Sequence, residues 1–150
     1  MSAIHFPGTV STVVFLGGCN FRCPFCHNLN LVLNPENIET IPFEYINEQL
    51  TNQKGWIDGV CITGGEPTLH KDLPELCSKI KQMGFLVKLD TNGTNPAMLK
   101  ELIQKNLIDY AAMDIKAPLT PENYSKAVGV NSEKLLEKVR IYTDSFESVL

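Results

Sequence analysis

Three cysteines fall within a single short stretch, Cys19-Asn20-Phe21-Arg22-Cys23-Pro24-Phe25-Cys26, spaced C-x3-C-x2-C. A loop this short can wrap its thiols around one inorganic centre. Thiolates are the usual ligands of iron–sulfur clusters and of zinc. Three protein ligands on a four-iron cubane leave one iron open to a substrate or cofactor. A zinc site would instead recruit His27 as a fourth ligand and close its shell. Adjacent Cys26 and His27 are awkward on one tetrahedral ion, so the spacing favours the cluster.

Three other segments have residues suited to binding. In Gly64-Gly65-Glu66-Pro67, two residues without a Cβ allow backbone to approach a ligand closely. Glu66 can accept hydrogen bonds from an ammonium group. A plain strand-to-helix turn is the other reading. Asp90-Thr91-Asn92-Gly93 and Asp114-Ile115-Lys116 each close a β-prone run. Alternation puts Leu86, Lys88 and Asp90 on one face and Phe85, Val87 and Leu89 on the other. The apolar face should meet helices, so Lys88 and Asp90 should point to the opposite face of the sheet. A lysine there must find a carboxylate or shift its pKa. It serves either in a buried ion pair or directly in catalysis. The same alternation sends Asp114 and Lys116 to one face, with Ile115 opposite.

Alternating strands and helices must position these segments. Thr12–Leu16 is β-branched and apolar on both faces, as in a strand buried on both sides. Pro42 can open a helix to about Thr51, with Ile46 and Leu50 on one face. Val60–Thr63 is a second strand. A helix over about Asp72–Met83 carries Leu73, Leu76, Cys77, Ile80 and Met83 at helical spacing, with Gly84 as its C-terminal stop. Phe85–Leu89 is a third strand, stopped by the Asp90–Gly93 turn signal. Asn95-Pro96 starts a helix to about Asn106, with Leu99, Leu102 and Ile103 apolar. Ile108–Ile115 is a fourth strand. A short helical piece near Tyr124 and a helix from about Ser132 follow. Such alternation implies an α/β fold with a parallel sheet, whose chemistry sits beyond the C-terminal strand ends. Each unusual segment falls at such an end.

The sequence has 150 residues, with 43% hydrophobic and 20% charged content. That is enough for one domain with a real core. The net charge of -4 and the lack of a Lys/Arg run give no footprint for nucleic acid. The first ten residues lack a basic start and a long apolar stretch, so no secretory signal is expected. Runs such as Val13–Leu16 are too short to span a bilayer. An odd count of 5 Cys reads as a metal site in a reducing cytoplasm rather than a disulfide framework. Cys61 and Cys77 sit in apolar patterns and read as small core residues. His5 and His70 show no partner spacing.

The cysteine loop, with an aromatic before its last cysteine, resembles the signature of radical S-adenosylmethionine enzymes. The other segments agree with that family in order, and the resemblance extends from Phe6-Pro7-Gly8 past Asp114. It is nearest to the activating proteins of anaerobic ribonucleoside-triphosphate reductase and of pyruvate formate-lyase. The Cys26-His27-Asn28 run is similar too, without an assigned role. The resemblance implies a 4Fe–4S cluster on Cys19, Cys23 and Cys26. Its open iron chelates the amino and carboxylate groups of S-adenosylmethionine, and one-electron reduction gives a 5′-deoxyadenosyl radical. By the same resemblance Phe25 contacts adenine; a loop anchor on the barrel rim is its other reading. Gly64, Gly65 and Glu66 match the motif that holds the methionine amino group. The resemblance also implies that Asp90, Asn92, Asp114 and Lys116 line the S-adenosylmethionine pocket. By the same resemblance Asp90, Thr91 and Asp114 contribute to a monovalent cation site.

The resemblance further implies a partial (β/α)6 TIM-like barrel, with residues 1–150 forming one radical S-adenosylmethionine core domain. Four strands are legible, and the sequence stops at Phe146–Leu150 as another helix would begin. The last two barrel strands are therefore expected to be absent, leaving an open edge at Ile108–Ile115. The expected activity is a cytoplasmic activase that makes a glycyl radical on a partner such as anaerobic ribonucleotide reductase, fed by a small electron-donor protein. No nucleic acid or membrane partner is expected. The alternatives are a radical enzyme acting on a small molecule or peptide, and a non-catalytic metal-binding module.

Overall fold

The computed structural model describes residues 5–146. Four parallel strands, β1 (Ser11–Leu16), β2 (Gly59–Gly64), β3 (Leu86–Thr91) and β4 (Tyr110–Met113), form one sheet in the order β1-β2-β3-β4. Helices α1 (Leu29–Leu33), α2 (Phe43–Asn52), α3 (Leu73–Gln82), α4 (Pro96–Gln104), α5 (Pro121–Val128) and α6 (Glu133–Phe146) complete the chain. Parallel neighbours need a crossover, and α2, α3 and α4 supply it. The family barrel's last two strands are not among the described residues, and the expected helix start at 147–150 lies outside them.

The core follows from period-two alternation in the sheet meeting helical spacing in α3 and α4. Val60, Ile62, Val87 and Leu89 pack on Leu73, Cys77, Ile80, Leu99 and Leu102. Burying each such side chain stabilises by about 1.5–3 kcal/mol. Helix α3 has Glu75 in its first turn and Lys79 and Lys81 in its last, which complements its dipole. Gly84, at φ +89°, ends it in the left-handed region. Asn95 caps α4, its Oδ1 accepting from the Met98 amide at 3.3 Å. On the opposite face of the sheet Phe6 closes the strand bases. Its ring lies against Gly59 and 6.0 Å from the Tyr110 ring. Among the described residues no helix is long and apolar enough to cross a membrane.

Several boundaries differ from the sequence expectations. β1 is a sheet edge rather than a strand buried on both sides, and Phe15 is 51% exposed. An apolar run cannot reveal that one flank has no neighbour. β3 does not stop at Leu89 but runs through Asp90 and Thr91, because Thr91 pairs with Met113. β4 is only Tyr110–Met113, and among the described residues it pairs with β3 alone, so the expected free edge is there in shortened form. Asp114 and Lys116 therefore lie beyond the strand. α4 ends at Gln104, and Asn106, at φ +53°, turns the chain out of it. Ile103 is on its exposed side.

Candidate functional site

The cysteine loop lies across the C-terminal ends of β1, β2 and β3, and backbone bonds tie it to three elements. The Gly18 amide donates to Leu31 O at 2.9 Å, the Glu66 amide to Gly18 O at 2.8 Å, and the Arg22 amide to Val128 O at 2.7 Å. Within the loop, the Arg22 guanidinium donates to the Cys19 and Phe21 carbonyls at 2.6 and 2.7 Å. Phe21 anchors the loop with 1% exposure, its ring edge-on to Tyr124 at 6.1 Å between centroids. Phe25, by contrast, is 55% exposed, so the rim-anchor reading belongs to Phe21.

The glycine pair serves the chain's own backbone. Gly64 sits at φ +120°, and a Cβ there would stand 2.3 Å from Leu16 O. A Cβ on Gly65 would stand 1.9 Å from Gly18 O. These close approaches are to the backbone of β1 at Leu16 and of the cysteine loop at Gly18. Glu66 is fully buried. Its Oε1 accepts from the Thr68 amide at 3.1 Å, the Thr68 hydroxyl at 2.5 Å and the Thr91 hydroxyl at 2.7 Å. Its Oε2 accepts from the Asn92 amide at 2.6 Å. The carboxylate ties the end of β2 to the end of β3, and its remaining acceptor capacity lies on Oε2.

Asn92 extends this link to the loop. Its Nδ2 donates to Asn20 Oδ1 at 2.9 Å and lies 3.9 Å from Cys19 Sγ. Asn20 Nδ2 in turn donates to Thr94 Oγ1 at 2.8 Å. Asn20, Phe21, Thr94 and Tyr124 are supports that motif reading missed. A lone aromatic between polar loop residues was the available signal for Phe21. His70 also has a partner after all, donating from Nε2 to Gly17 O at 2.8 Å.

A testable consequence concerns Glu66→Gln. Either orientation of the new amide sets its NH2 against a backbone N–H, from Thr68 or from Asn92. We expect a loss of about 2–3 kcal/mol in denaturant unfolding of the metal-free chain. Unchanged metal-free stability would show that the carboxylate matters only to a ligand.

Lys88 and Asp90 do share the sheet face away from the helices, as alternation predicts. Lys88 Nζ lies 2.5 Å from Asp90 Oδ1, with the lysine side chain 9% and the aspartate 29% exposed. Cys61 joins them rather than the apolar core, its thiol donating to Asp90 Oδ2 at 3.3 Å. Burial first, and the Asp90 carboxylate second, push that thiol up to about 12. Asp114 pairs with Lys116 through its Oδ2, and Asp114 is largely exposed. The structure thus gathers Glu66, Asn92 and Cys19 into one network and keeps Asp90 in another, with Lys88 and Cys61.

Cys23 is buried in an apolar group with Phe21 and Tyr124, and Cys19 and Cys26 pack against it. As free thiols Cys19 and Cys23 are raised, by burial first. The Phe21 N–H and the Lys116 ammonium respectively pull them back, while Glu66 and the other cysteines push Cys19 further up. Among the described residues no three His, Cys, Asp or Glu converge tightly enough for one metal ion. A cubane takes each of the three thiolates on a different iron and needs no such convergence. The all-sulfur donor set on a pinned loop fits a 4Fe–4S cluster. A cavity of about 800 Å³ lies elsewhere, under α2 beside β1, lined by Val14, Leu16, Ile46, Leu50 and Leu76 among others and by none of the cysteines.

Comparison with known proteins bears on the family. The Radical SAM superfamily matches residues 13–150. A protein of Methanocaldococcus jannaschii named as a glycyl-radical enzyme activating enzyme is 44% identical over 119 residues, covering 77% of this chain and 47% of that protein. A 7-carboxy-7-deazaguanine synthase of Hyperthermus butylicus is 36% identical over 97 residues, covering 64% of this chain and 40% of the synthase. The crystal structure of Streptococcus suis SuiB bound to precursor peptide SuiA superposes with a TM-score of 0.65 at 19% identity. That match covers 90% of this chain and 30% of SuiB, and shows the shared fold. The chain spans less than half the length of each of these three proteins. With a family match over nearly its whole length, a parallel α/β sheet and a C-x3-C-x2-C loop at the strand ends, the chain belongs to the Radical SAM superfamily, whose members imply a 4Fe–4S cluster and S-adenosylmethionine.

Proposed function

We propose that this chain carries the cluster-bearing part of an activase that generates a glycyl radical on a partner enzyme, such as an anaerobic ribonucleotide reductase. The observation that carries this reading is the 44% identity over 119 residues to a protein named for that activity. Cys19, Cys23 and Cys26 would hold the 4Fe–4S cluster. Phe25, Gly64, Gly65, Glu66, Asp90, Asn92, Asp114 and Lys116 would form the S-adenosylmethionine site, with Asp90, Thr91 and Asp114 offering oxygens to a monovalent cation. When bound, the pair supplies one-electron cleavage of the sulfonium and a 5′-deoxyadenosyl radical able to abstract hydrogen.

The chain's own residues provide support for this chemistry. The exposed Phe25 ring is free to stack on a base. Lys116, held by Asp114, places a cation near Cys23. The network of Glu66, Asn92 and Asn20 keeps Cys19 in place. A one-electron donor, a small flavin or iron–sulfur protein, must reduce the cluster before each cleavage.

The 36% identity to 7-carboxy-7-deazaguanine synthase favours a second reading, a radical enzyme acting on a small molecule. One experiment separates the readings. The complete protein, reduced anaerobically with S-adenosylmethionine, should produce a glycine-centred EPR doublet on a reductase or lyase from the same cell. Cleavage of S-adenosylmethionine with every such enzyme left diamagnetic would transfer the case to the small-molecule reading. Iron retention without any cleavage would leave a metal-binding module.

A further inference from the structure

The turn after β3 and the cysteine loop share a closed ring of side-chain hydrogen bonds. The Thr94 hydroxyl donates to Asn92 Oδ1 at 2.7 Å. Asn92 Nδ2 donates to Asn20 Oδ1 at 2.9 Å. Asn20 Nδ2 donates to Thr94 Oγ1 at 2.8 Å and completes the ring. Asn92 and Thr94 are buried. Neither Asn20 nor Thr94 is among the residues given above to the cluster or to S-adenosylmethionine.

One donor fixes the sense of the whole ring. An asparagine amide can be turned end for end unless a neighbour that only donates, or only accepts, forbids it. The Thr94 backbone N–H can only donate, and it stands 3.1 Å from Asn92 Oδ1. The oxygen of Asn92 must therefore face Thr94, and its NH2 must face the cysteine loop. Asn20 must then offer its oxygen to that NH2, which turns its own NH2 to the Thr94 oxygen. The Thr94 hydroxyl is left to donate to Asn92. The Asn92 backbone adds another tie, its N–H donating to Glu66 Oε2 at 2.6 Å. One Asn92 amide hydrogen is thus given to Asn20, and the other is directed at Cys19 Sγ, 3.9 Å from Nδ2. The Phe21 N–H reaches the same sulfur at 3.3 Å. A separation of 3.9 Å is long even for sulfur, so the Asn92 contact acts chiefly as an oriented dipole with its hydrogen end toward the sulfur.

We infer that Asn20 and Thr94 are positioning residues, which hold the Asn92 amide with its hydrogen end on Cys19 and so raise the reduction potential of the cluster. This rests on the cluster assignment proposed above. Reduction adds negative charge to the cluster and its sulfurs, and a donor held toward a ligand sulfur stabilises that charge. An amide free to turn would average part of its field away.

The test pairs Thr94→Val, which removes the hydroxyl at nearly constant shape, with Thr94→Ser, which keeps it. Asn20→Ala breaks the ring from the loop side. Each chain is reconstituted anaerobically with iron and sulfide, and its midpoint is measured by redox titration followed by EPR, without S-adenosylmethionine. The expected midpoints are more negative than wild type for T94V and N20A, and equal to wild type for T94S. Wild-type midpoints in T94V and N20A overturn the inference and leave a ring that only braces the loop. A shift in T94S as large as in T94V overturns it too. Should T94V and N20A take up no cluster, side-chain amide NMR of the metal-free chains decides. The Asn92 NH2 should exchange with solvent more slowly in wild type and T94S than in T94V and N20A, and equal exchange throughout overturns the inference. Absence of a cluster in wild type itself would bring down the cluster assignment, a failure distinct from that of Asn20 and Thr94.

Discussion

Replacing Cys19, Cys23 or Cys26 with alanine lowers bound iron by more than about 10-fold, while Cys61→Ala and Cys77→Ala retain it. The scale follows from the observation that even losing an outer partner of a metal ligand costs 10–100-fold in affinity. A lost thiolate leaves an iron with no protein ligand at all. The two control cysteines are poor ligands for a structural reason. Cys77 lies in the helix-facing core, where burial pushes its thiol up to about 12. Cys61 is pushed equally high, by burial and then by Asp90. Neither belongs to the C-x3-C-x2-C loop that would wrap the centre. Iron and sulfide analysis after anaerobic reconstitution, with the S-adenosylmethionine cleavage rate, gives the readout. Iron loss in Cys61→Ala as complete as in Cys23→Ala would overturn the ligand assignment.

Gly65→Ala should cost more than about 3 kcal/mol and prevent cluster assembly as well. The added Cβ would meet Gly18 O at 1.9 Å and Gly18 C at 2.6 Å. These are backbone atoms of the cysteine loop, and no rotamer change moves them aside. The loop would have to lift, breaking the Glu66-amide to Gly18-carbonyl bond of 2.8 Å. Gly84→Ala is the control. Its φ of +89° strains any side chain, but a Cβ there meets nothing within 4 Å. It should cost about 1–2 kcal/mol and leave iron uptake intact. Denaturant unfolding of both metal-free variants, followed by iron analysis, tests the pair. A Gly65→Ala chain that folds and loads like wild type would show that the loop can be displaced without loss.

Much of the fold was legible because hydrophobic periodicity is local. The stripe of Leu73, Cys77 and Ile80 specified α3 and its buried face. Asn95-Pro96 marked the start of α4, with the asparagine as cap. Alternation in β3 correctly separated Val87 and Leu89 from Lys88 and Asp90. Where boundaries slipped, partners were at fault. Asp90-Thr91-Asn92-Gly93 has a turn composition, but the pairing of Thr91 with Met113 holds its first half in the sheet. The apolar face of β1 gave no sign that its outer flank is open.

The candidate site divides in the same way. Residue chemistry and spacing by themselves determined the three thiols, their grouping in one loop and the likeness to the superfamily, because those are properties of neighbours in the chain. Only the tertiary structure decided what the other residues touch. It gave Gly65 to the Gly18 backbone, Glu66 to Thr68, Thr91 and Asn92, and Cys61 to Asp90. It also brought Tyr124 and Val128 against the cysteine loop. A hydrogen bond or a steric clash depends on positions held to fractions of an ångström, and sequence periodicity sets only the face on which a residue lies.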